Sequence, residues 1–239
     1  MGRIASFHLV SEPTWKTPIV LGRLGLDRLR LRNVEGLVFW RLLGTGSGDN
    51  TGRGADLSRS ALFAVWDDES YLDAALASGP TAGRWRDAEE SWHVRLRGIG
   101  GHGTWKGFDP LDGLETGSGD GSIAIVTRAN VRRQSWKVFG EASKVVDAEL
   151  HRAPGLIDVV GIGETPIGSL ATFSLWESRA AARDFAYSMP DHREVIRRTR
   201  AEGWYAEEMF ARFEPYGAIG TWNGRNPLSI VLPCHRVVG

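Results

Sequence analysis

Cysteine and net charge are both scarce in this sequence. Cys234 is the only cysteine among 239 residues, which excludes an internal disulfide and agrees with a reducing compartment. Basic and acidic residues number 29 each, so the chain as a whole offers no electrostatic attraction to a polyanion. We therefore expect no nucleic-acid partner.

Long apolar runs are also missing. The longest is far shorter than the roughly 18 residues of a membrane-spanning helix, and residues 1–10 lack the charged-then-apolar layout of a signal peptide. The sequence therefore predicts a cytoplasmic protein without a membrane span. Hydrophobic residues at 42% and charged residues at 24% are typical of a globular protein.

Tryptophan, by contrast, is abundant, with ten residues in the chain. Each tryptophan can bury a large flat apolar area while requiring only one hydrogen-bond partner. The composition therefore predicts wide, flat apolar surfaces within the fold.

One nine-residue phrase occurs twice. Residues 103–111 read GTWKGFDPL and residues 220–228 read GTWNGRNPL, with six identical positions. Residues 59–66 and 169–176 also correspond, since both are apolar strand-like runs that end in Phe-x-x-Trp before an acid. The hydrophobic periodicity of each half indicates a strand, a helix, two strands, a helix and a strand. We therefore predict two copies of one structural plan.

The predicted fold class is α+β, because the βαββαβ order is that of a ferredoxin-like unit. A sheet with helices on one face leaves its other face bare, and the sister sheet can cover it. We predict a single-chain α+β barrel of the dimeric α+β barrel type, with a space between the halves for a large flat ligand. The units span residues 1–110 and 122–228, joined by a flexible linker at 111–121 that is rich in Gly, Asp and Ser.

The second unit carries the longest predicted helix. Its apolar and charged pattern predicts one helix over residues 179–200, followed by a closing strand over residues 209–216. Residues 229–239 form a C-terminal extension without a counterpart in the first unit.

Six phrases, in order along the chain, carry a resemblance to a known family. They are FWRLLGTG at 39–46, AEESW at 88–92, IVTRA at 125–129, GIGETP at 161–166, ATFSLW at 171–176 and the stretch 203–213. Together they resemble the spheroidene monooxygenase family over about residues 4–228. The resemblance implies a haem-dependent oxidoreductase that inserts oxygen into an apolar, carotenoid-like substrate and takes electrons from a donor. A homo-oligomer is compatible with the sequence, and the catalytic residues stay unassigned.

His192 is the candidate metal ligand. It matches the histidine that the family carries between its FAY and FARF phrases, and a haem iron needs an axial ligand such as His, Cys or Tyr. The alternative is a solvated residue in the first turn of a helix that Asp191 caps. His93, on an alternating strand, is the candidate for the distal side of the haem, and an exposed strand position is the alternative.

Two arginines and four aromatic residues complete the candidate cofactor site. Arg197 and Arg200 are candidate partners of the haem propionates, because a guanidinium group matches a carboxylate. The alternative is a solvated basic helix face. The candidate pocket walls, which could equally be plain core, are Phe173, Trp176, Phe185 and Trp204.

The C-terminal extension contains a second resemblance. Its segment PCHRVVG, around Cys234, resembles the active-site segment of the methylated-DNA–protein cysteine methyltransferases, in which a cysteine thiolate accepts the alkyl group. The preceding residues predict a barrel strand rather than a DNA-binding helix-turn-helix, so a remnant is expected. Two other hypotheses stand beside the oxygenase: a non-catalytic module that binds haem or an apolar ligand, and a fragment of a DNA O6-alkylguanine alkyltransferase.

Overall fold

A computed structural model describes residues 2–46, 55–164, 169–188, 190–222 and 227; within these, the side chains of residues 18–24, 169, 188, 190–192 and 200 are not described. The predictions for residues 229–239 and for Cys234 therefore lie outside the described residues. Within the described ranges, no helix combines the length and apolar character needed to cross a membrane.

The chain forms eight strands and six helices in its described part. The first half contains β1 Ile4–Ser11, α1 Thr17–Leu31, β2 Leu37–Gly46, β3 Ala55–Trp66, α2 Glu69–Ser78, α3 Ala82–Arg86 and β4 Glu90–Gly103. The second half contains β5 Ile123–Val131, α4 Trp136–Leu150, β6 Leu156–Gly163, β7 Ser169–Trp176, α5 Arg179–Ser188, α6 Pro190–Glu202 and β8 Tyr205–Gly220. A short 3-10 turn precedes α1 and another precedes α4.

The strands close into one antiparallel barrel. Their order around the barrel is β1-β3-β2-β6-β7-β5-β8-β4, so each half has the same internal order, 4-1-3-2, of a ferredoxin-like unit. A long β4–β8 pairing and a short β2–β6 pairing join the halves. The predicted α+β barrel of two ferredoxin-like units is therefore confirmed.

The helix predicted over residues 179–200 is instead two helices. α5 ends at Ser188 and α6 begins at Pro190. Proline lacks a backbone N–H and its ring clashes with the preceding turn, so it interrupts a helix but is well suited to begin one. The closing strand, Tyr205–Gly220, is longer at both ends than the predicted 209–216.

The interior of the barrel is filled by aromatic side chains. Phe7 and Phe173 stack near its centre with ring centroids 3.9 Å apart, and Phe63 lies 5.9 Å from Phe213. All four rings are fully buried. The interior of an eight-stranded barrel is narrow enough for side chains to fill, and these rings occupy it, so the expected ligand space between the two sheets is wrong for the described residues. Open space lies elsewhere: a cleft of about 560 Å³ is on the outer face of the second half, and a cavity of about 570 Å³ lies beside α1 of the first half.

The repeated phrase supplies one tryptophan to this interior from each half. Trp105 stacks on Phe63 at 5.7 Å, and Trp222 lies 6.3 Å from Phe173. Both indoles are buried. The two residues therefore have the matching structural role that the repeat suggested.

The first glycine of each phrase ends a long strand in the left-handed region. Gly103 has φ +84° and Gly220 has φ +83°. A Cβ would lie 2.1 Å from the carbonyl oxygen of Glu208 at Gly103, and 1.9 Å from that of Ser91 at Gly220. Only glycine fits both the φ angle and the close approach. This explains why the phrase begins with glycine in each half.

The linker is anchored along its length. The N–H of Arg3 donates to the carbonyl of Gly113, and the N–H of Glu115 donates back to that of Arg3. Gly98 exchanges a similar pair of hydrogen bonds with Glu115 and Gly117. The Gly- and Asp-rich composition predicted flexibility, whereas this segment is fixed to β1 and β4 by backbone hydrogen bonds.

Candidate functional site

A cleft of about 560 Å³ lies between the outer face of the second half's sheet and helices α5 and α6. Strands β5 and β8 form its floor, and β4 of the first half contributes one edge. This volume is within the range of small-molecule and cofactor pockets.

The residues of the cleft floor follow from the alternation of side chains along strands β5 and β8. Successive side chains of a strand point to opposite faces, so Ile123, Ile125 and Thr127 face the cleft while Ala124 and Val126 face the barrel core. On β8 the corresponding outward residues are Glu208, Phe210 and Arg212. Thr127 is exposed although its neighbours on the chain are buried. The exposure of a central strand position shows that the helices do not seal the floor at this point.

The covering helices present a small and mostly apolar face. On α5, positions 179, 182, 183, 186 and 187 line the cleft; on α6 they are 195, 196 and 199. These spacings of three and four residues define one face of each helix. On the α5 face, Ala182 and Ala186 have small side chains. They therefore leave space between the helix and the sheet.

Polar and aromatic side chains surround the rim. Arg179 and Arg183 on α5 are both exposed, and Tyr187 one turn further is 68% exposed. His102, on β4, stacks against Phe210 with ring centroids 5.8 Å apart. Burial raises the pKa of the Tyr205 hydroxyl at the α6 end of the cleft. The site therefore combines a mostly apolar floor, which also carries Glu208 and Arg212, with a rim that bears two arginines.

The four predicted aromatic walls are divided between different layers. Phe173 lies in the barrel interior, on the opposite side of the sheet from the cleft. Trp176 and Phe185 pack together with ring centroids 5.4 Å apart, beside Ile123 of the cleft floor. Trp204 is buried below the end of α6, where its indole N–H donates to Glu202 at 2.8 Å. None of the four lines the cleft directly, and Trp176 and Phe185 support its wall from behind.

Arg197 is not brought to the cleft. Its guanidinium forms a two-pronged ion pair with Glu194, with Nε–Oε2 at 2.8 Å and Nη2–Oε1 at 2.7 Å, and both side chains are exposed. This hydrogen bond raises the pKa of Arg197 and lowers that of Glu194. Position 197 is about 100° around the helix from position 196, which lines the cleft. The side chain of Arg200 lies outside the described residues.

His192 belongs to the first turn of α6. Its side chain is not described, but its position is three, four and seven residues before Val195, Ile196 and Thr199, all of which line the cleft. Residues with this spacing share one helical face. The backbone therefore carries His192 on the same face of α6 that closes the cleft.

His93 is in a different part of the molecule from the cleft. It lies beneath α3 of the first half, where its Nδ1 is 2.9 Å from Nδ1 of His8 and its ring stacks on Trp85. Burial first, and the charge of Arg95 second, lower the pKa of His93 to about 4. Burial, then His93 and Arg95, hold the pKa of His8 well below its usual value. The structure therefore separates His93 from the proposed distal position.

The sequence analysis missed most of the residues that line the cleft. Arg179, Arg183 and Tyr187 share a face with two alanines on α5, a pattern that helical spacing could have identified. The contributions of His102, Thr127 and Phe210 had no such signal, because they come from three strands that are distant in sequence and adjacent only in the sheet.

The fold and the cleft define a class of protein: single-chain α+β barrels in which two ferredoxin-like halves share one closed sheet. Solved structures with a similar fold include an aldoxime dehydratase, with 8% identity and a TM-score of 0.58, covering 90% of this chain and 82% of that one. A second, an aldoxime dehydratase in complex with butyraldoxime, has 11% identity and a TM-score of 0.60, covering 90% of this chain and 80% of that one. At these identities the likeness concerns the fold alone.

Sequence relatives identify the family. Spheroidene monooxygenase of Rhodobacter capsulatus is 30% identical over 230 residues, 95% of this chain and 95% of that protein. The enzyme of that name from Rubrivivax gelatinosus is 33% identical over 80% of this chain and 73% of its own length. A third, from Cereibacter sphaeroides, is 30% identical over 89% of this chain, which spans 66% of that protein's length. No family model matches the chain. The chain belongs to the spheroidene monooxygenase family.

Proposed function

We propose that this protein is a haem-dependent monooxygenase that inserts oxygen into an apolar, carotenoid-like substrate, and that the cleft between the second sheet and helices α5 and α6 is its cofactor site. The observation that carries this proposal is the cleft itself, with its apolar floor, its cationic rim and a histidine-bearing helix over it. Family membership supports the reaction type, since the relatives are named as monooxygenases.

The residues of the cleft fit a haem. Its apolar ring would lie between Ile125 and Phe210 of the floor and the face of α6 that carries Val195 and Ile196. Arg179 and Arg183, one turn apart on α5, could pair with its carboxylates at the rim, since guanidinium groups match carboxylate geometry. This assigns to Arg179 and Arg183 the role that was predicted for Arg197, while the role predicted for Arg200 stays a prediction.

His192 is the proposed axial ligand, because it shares the α6 face that borders the cleft. Haem, when bound, would supply the redox-active iron at which dioxygen is reduced. In such a reaction one oxygen atom of dioxygen would enter a C–H bond of the substrate, and the other would leave as water after taking up two electrons from an external donor and two protons from the solvent.

The experiment is haem reconstitution of the purified chain, followed by absorption spectroscopy. We expect a Soret band in the wild type and its loss or marked shift in the His192→Ala variant. His102→Ala is the matched control, since His102 borders the cleft from the opposite, sheet side, and we expect its spectrum to match that of the wild type. Arg179→Gln combined with Arg183→Gln should weaken haem binding by roughly tenfold, because charge-assisted hydrogen bonds would be lost.

Three outcomes would contradict the proposal. If the purified chain binds no haem, the proposed cofactor is wrong. If the Soret band is unchanged in His192→Ala, His192 is not the ligand of the haem iron. Haem binding without oxygenation of carotenoids, in the presence of dioxygen and a reductant, would favour a non-catalytic binding module.

A further inference from the structure

A surface formed by the turn before α1 and the C-terminal part of that helix combines exposed apolar and basic side chains. Trp15, in the 3-10 turn before the helix, is 72% exposed, and Leu26 and Leu29 are 52% and 56% exposed. Leu57 is also exposed and lies beside this turn, because the N–H of Glu12 donates to the carbonyl of Ser58. These four residues are the apolar part of what we call the α1 surface. They are four of the six large hydrophobic side chains found exposed in the described part of the chain.

Basic residues surround the apolar ones. Residues 16–32 contain five basic residues and one acid, Asp27. Asp27 is buried and paired with Arg84 and Arg30, so its charge is neutralised internally. Arg28 and Arg32 are exposed at the surface. The cavity beside Trp15 and Leu26 is balanced in charge, because Glu12, Asp27 and Asp87 line it together with Lys16, Arg30 and Arg84. The excess positive charge of this face therefore comes from the exposed Arg28 and Arg32.

The equivalent helix of the second half does not share this character. α4 and its flanking residues, 135–151, contain two basic and three acidic residues. Both helices occupy the same place in a ferredoxin-like unit, so the fold itself does not require the basic and apolar composition of α1. This difference between two topologically equivalent helices indicates a role specific to the first.

We propose that the α1 surface attaches the protein peripherally to an anionic lipid bilayer. Tryptophan and leucine side chains enter the headgroup region, while arginines remain at its charged boundary, which is the pattern of interfacial binding segments. Each basic residue close to such a surface adds attraction. A second copy of the chain is a poorer occupant, because a two-fold pairing of this surface would place like charges against each other. The attachment is independent of the cofactor proposal, since the α1 surface and the cleft share no residues.

The test is co-sedimentation of the full chain with vesicles of phosphatidylcholine, with and without phosphatidylglycerol. We expect binding to the anionic vesicles only, and weaker binding as salt is raised. Arg28→Gln with Arg32→Gln should lower the partition coefficient roughly 30-fold at low salt. Trp15→Ser with Leu29→Ser should also weaken binding, and neither pair of exposed substitutions should affect folding.

The matched control is Lys137→Gln with Lys144→Gln on α4. It removes the same charge from two exposed positions, and its binding should equal that of the wild type. Absence of sedimentation with anionic vesicles, or an equal loss in the control, would overturn the proposal. Sedimentation velocity showing a dimer that the α1 substitutions dissociate, without vesicle binding, would overturn it in favour of a second copy of the chain. Vesicle binding does not require haem, so its failure is distinguishable from failure of the proposed function.

Discussion

The buried histidine pair predicts a loss of stability in mild acid. His8 and His93 meet through their Nδ1 atoms at 2.9 Å, so at most one of these two nitrogens carries a proton, and burial lowers the pKa of both rings, which favours their neutral forms. Nε2 of His8 lies 2.8 Å from Oγ of Ser6, and the charge of Arg95 further disfavours protonation. In the unfolded chain both histidines would regain a pKa near the usual value of about 6.5. Acid therefore favours the unfolded state, which binds more protons.

The size of this loss of stability follows from the difference between the pKa of His93 in the folded protein and its pKa in the unfolded chain. Its pKa is about 4 in the fold, so stability is complete above pH 6.5 and declines as pH falls toward 4. Each pH unit in this window costs about 1.4 kcal/mol per histidine. Between pH 6.5 and 5, His93 alone should cost about 2 kcal/mol, before carboxylates begin to titrate. The lowered pKa of His8 adds a loss in the same direction.

Urea unfolding at pH 7, 6 and 5, followed by circular dichroism, measures this effect. We expect the free energy of unfolding to fall with pH, with the midpoint lowered by roughly 1 M urea for the contribution of His93. The double variant His8→Gln, His93→Gln should be less stable at pH 7 but should lose most of the pH dependence in this interval. A flat wild-type profile, or an unchanged slope in the double variant, would refute the reasoning.

Two further predictions compare residues in contrasting environments by thermal or urea unfolding. Gly220→Ala should destabilise by more than about 2 kcal/mol, because the new Cβ meets a backbone carbonyl and φ is positive; Gly140→Ala, inside α4 with open space around it, should stabilise by about 0.5–1 kcal/mol. Similar midpoints for the two glycine variants would contradict this account. Arg95→Ala should cost about 1.5–3 kcal/mol, since the buried guanidinium loses its hydrogen-bonded ion pairs with the more exposed Glu69 and Asp73, whereas Arg3→Ala, in which the arginine itself is more exposed, should cost at most about 1 kcal/mol. Equal losses of unfolding free energy in the two arginine variants would show that the burial of the arginine does not determine its contribution to stability.

The repeat and the strand periodicity predicted the fold well because both are local. β7, at 169–176, has the predicted bounds, since its apolar run ends clearly in Phe-x-x-Trp before an acid. The break before Pro190 was not predicted, although the proline itself was a signal. The linker was mistaken for a flexible segment because its backbone hydrogen bonds are made to strands about 20 and 110 residues away.

The candidate site was harder to predict than the fold. Phe173 and Trp176 are three residues apart on one strand, and they lie on opposite faces of the sheet because strand side chains alternate. The sequence could not say which face would be open, since that depends on the volume of the side chains that meet there. The rim arginines of α5 became candidates only once the helix was seen over the sheet.

The sequence by itself determined two similar units, their βαββαβ order, and the glycines and tryptophans that close each half, because these depend on local periodicity and on the φ angles available to each residue. The tertiary structure alone decided that the space between the sheets is filled and that a cleft opens outside the second sheet. That outcome depends on how the volumes of residues from distant segments, such as Phe7 and Phe173 inside and Ala182 outside, combine where they meet.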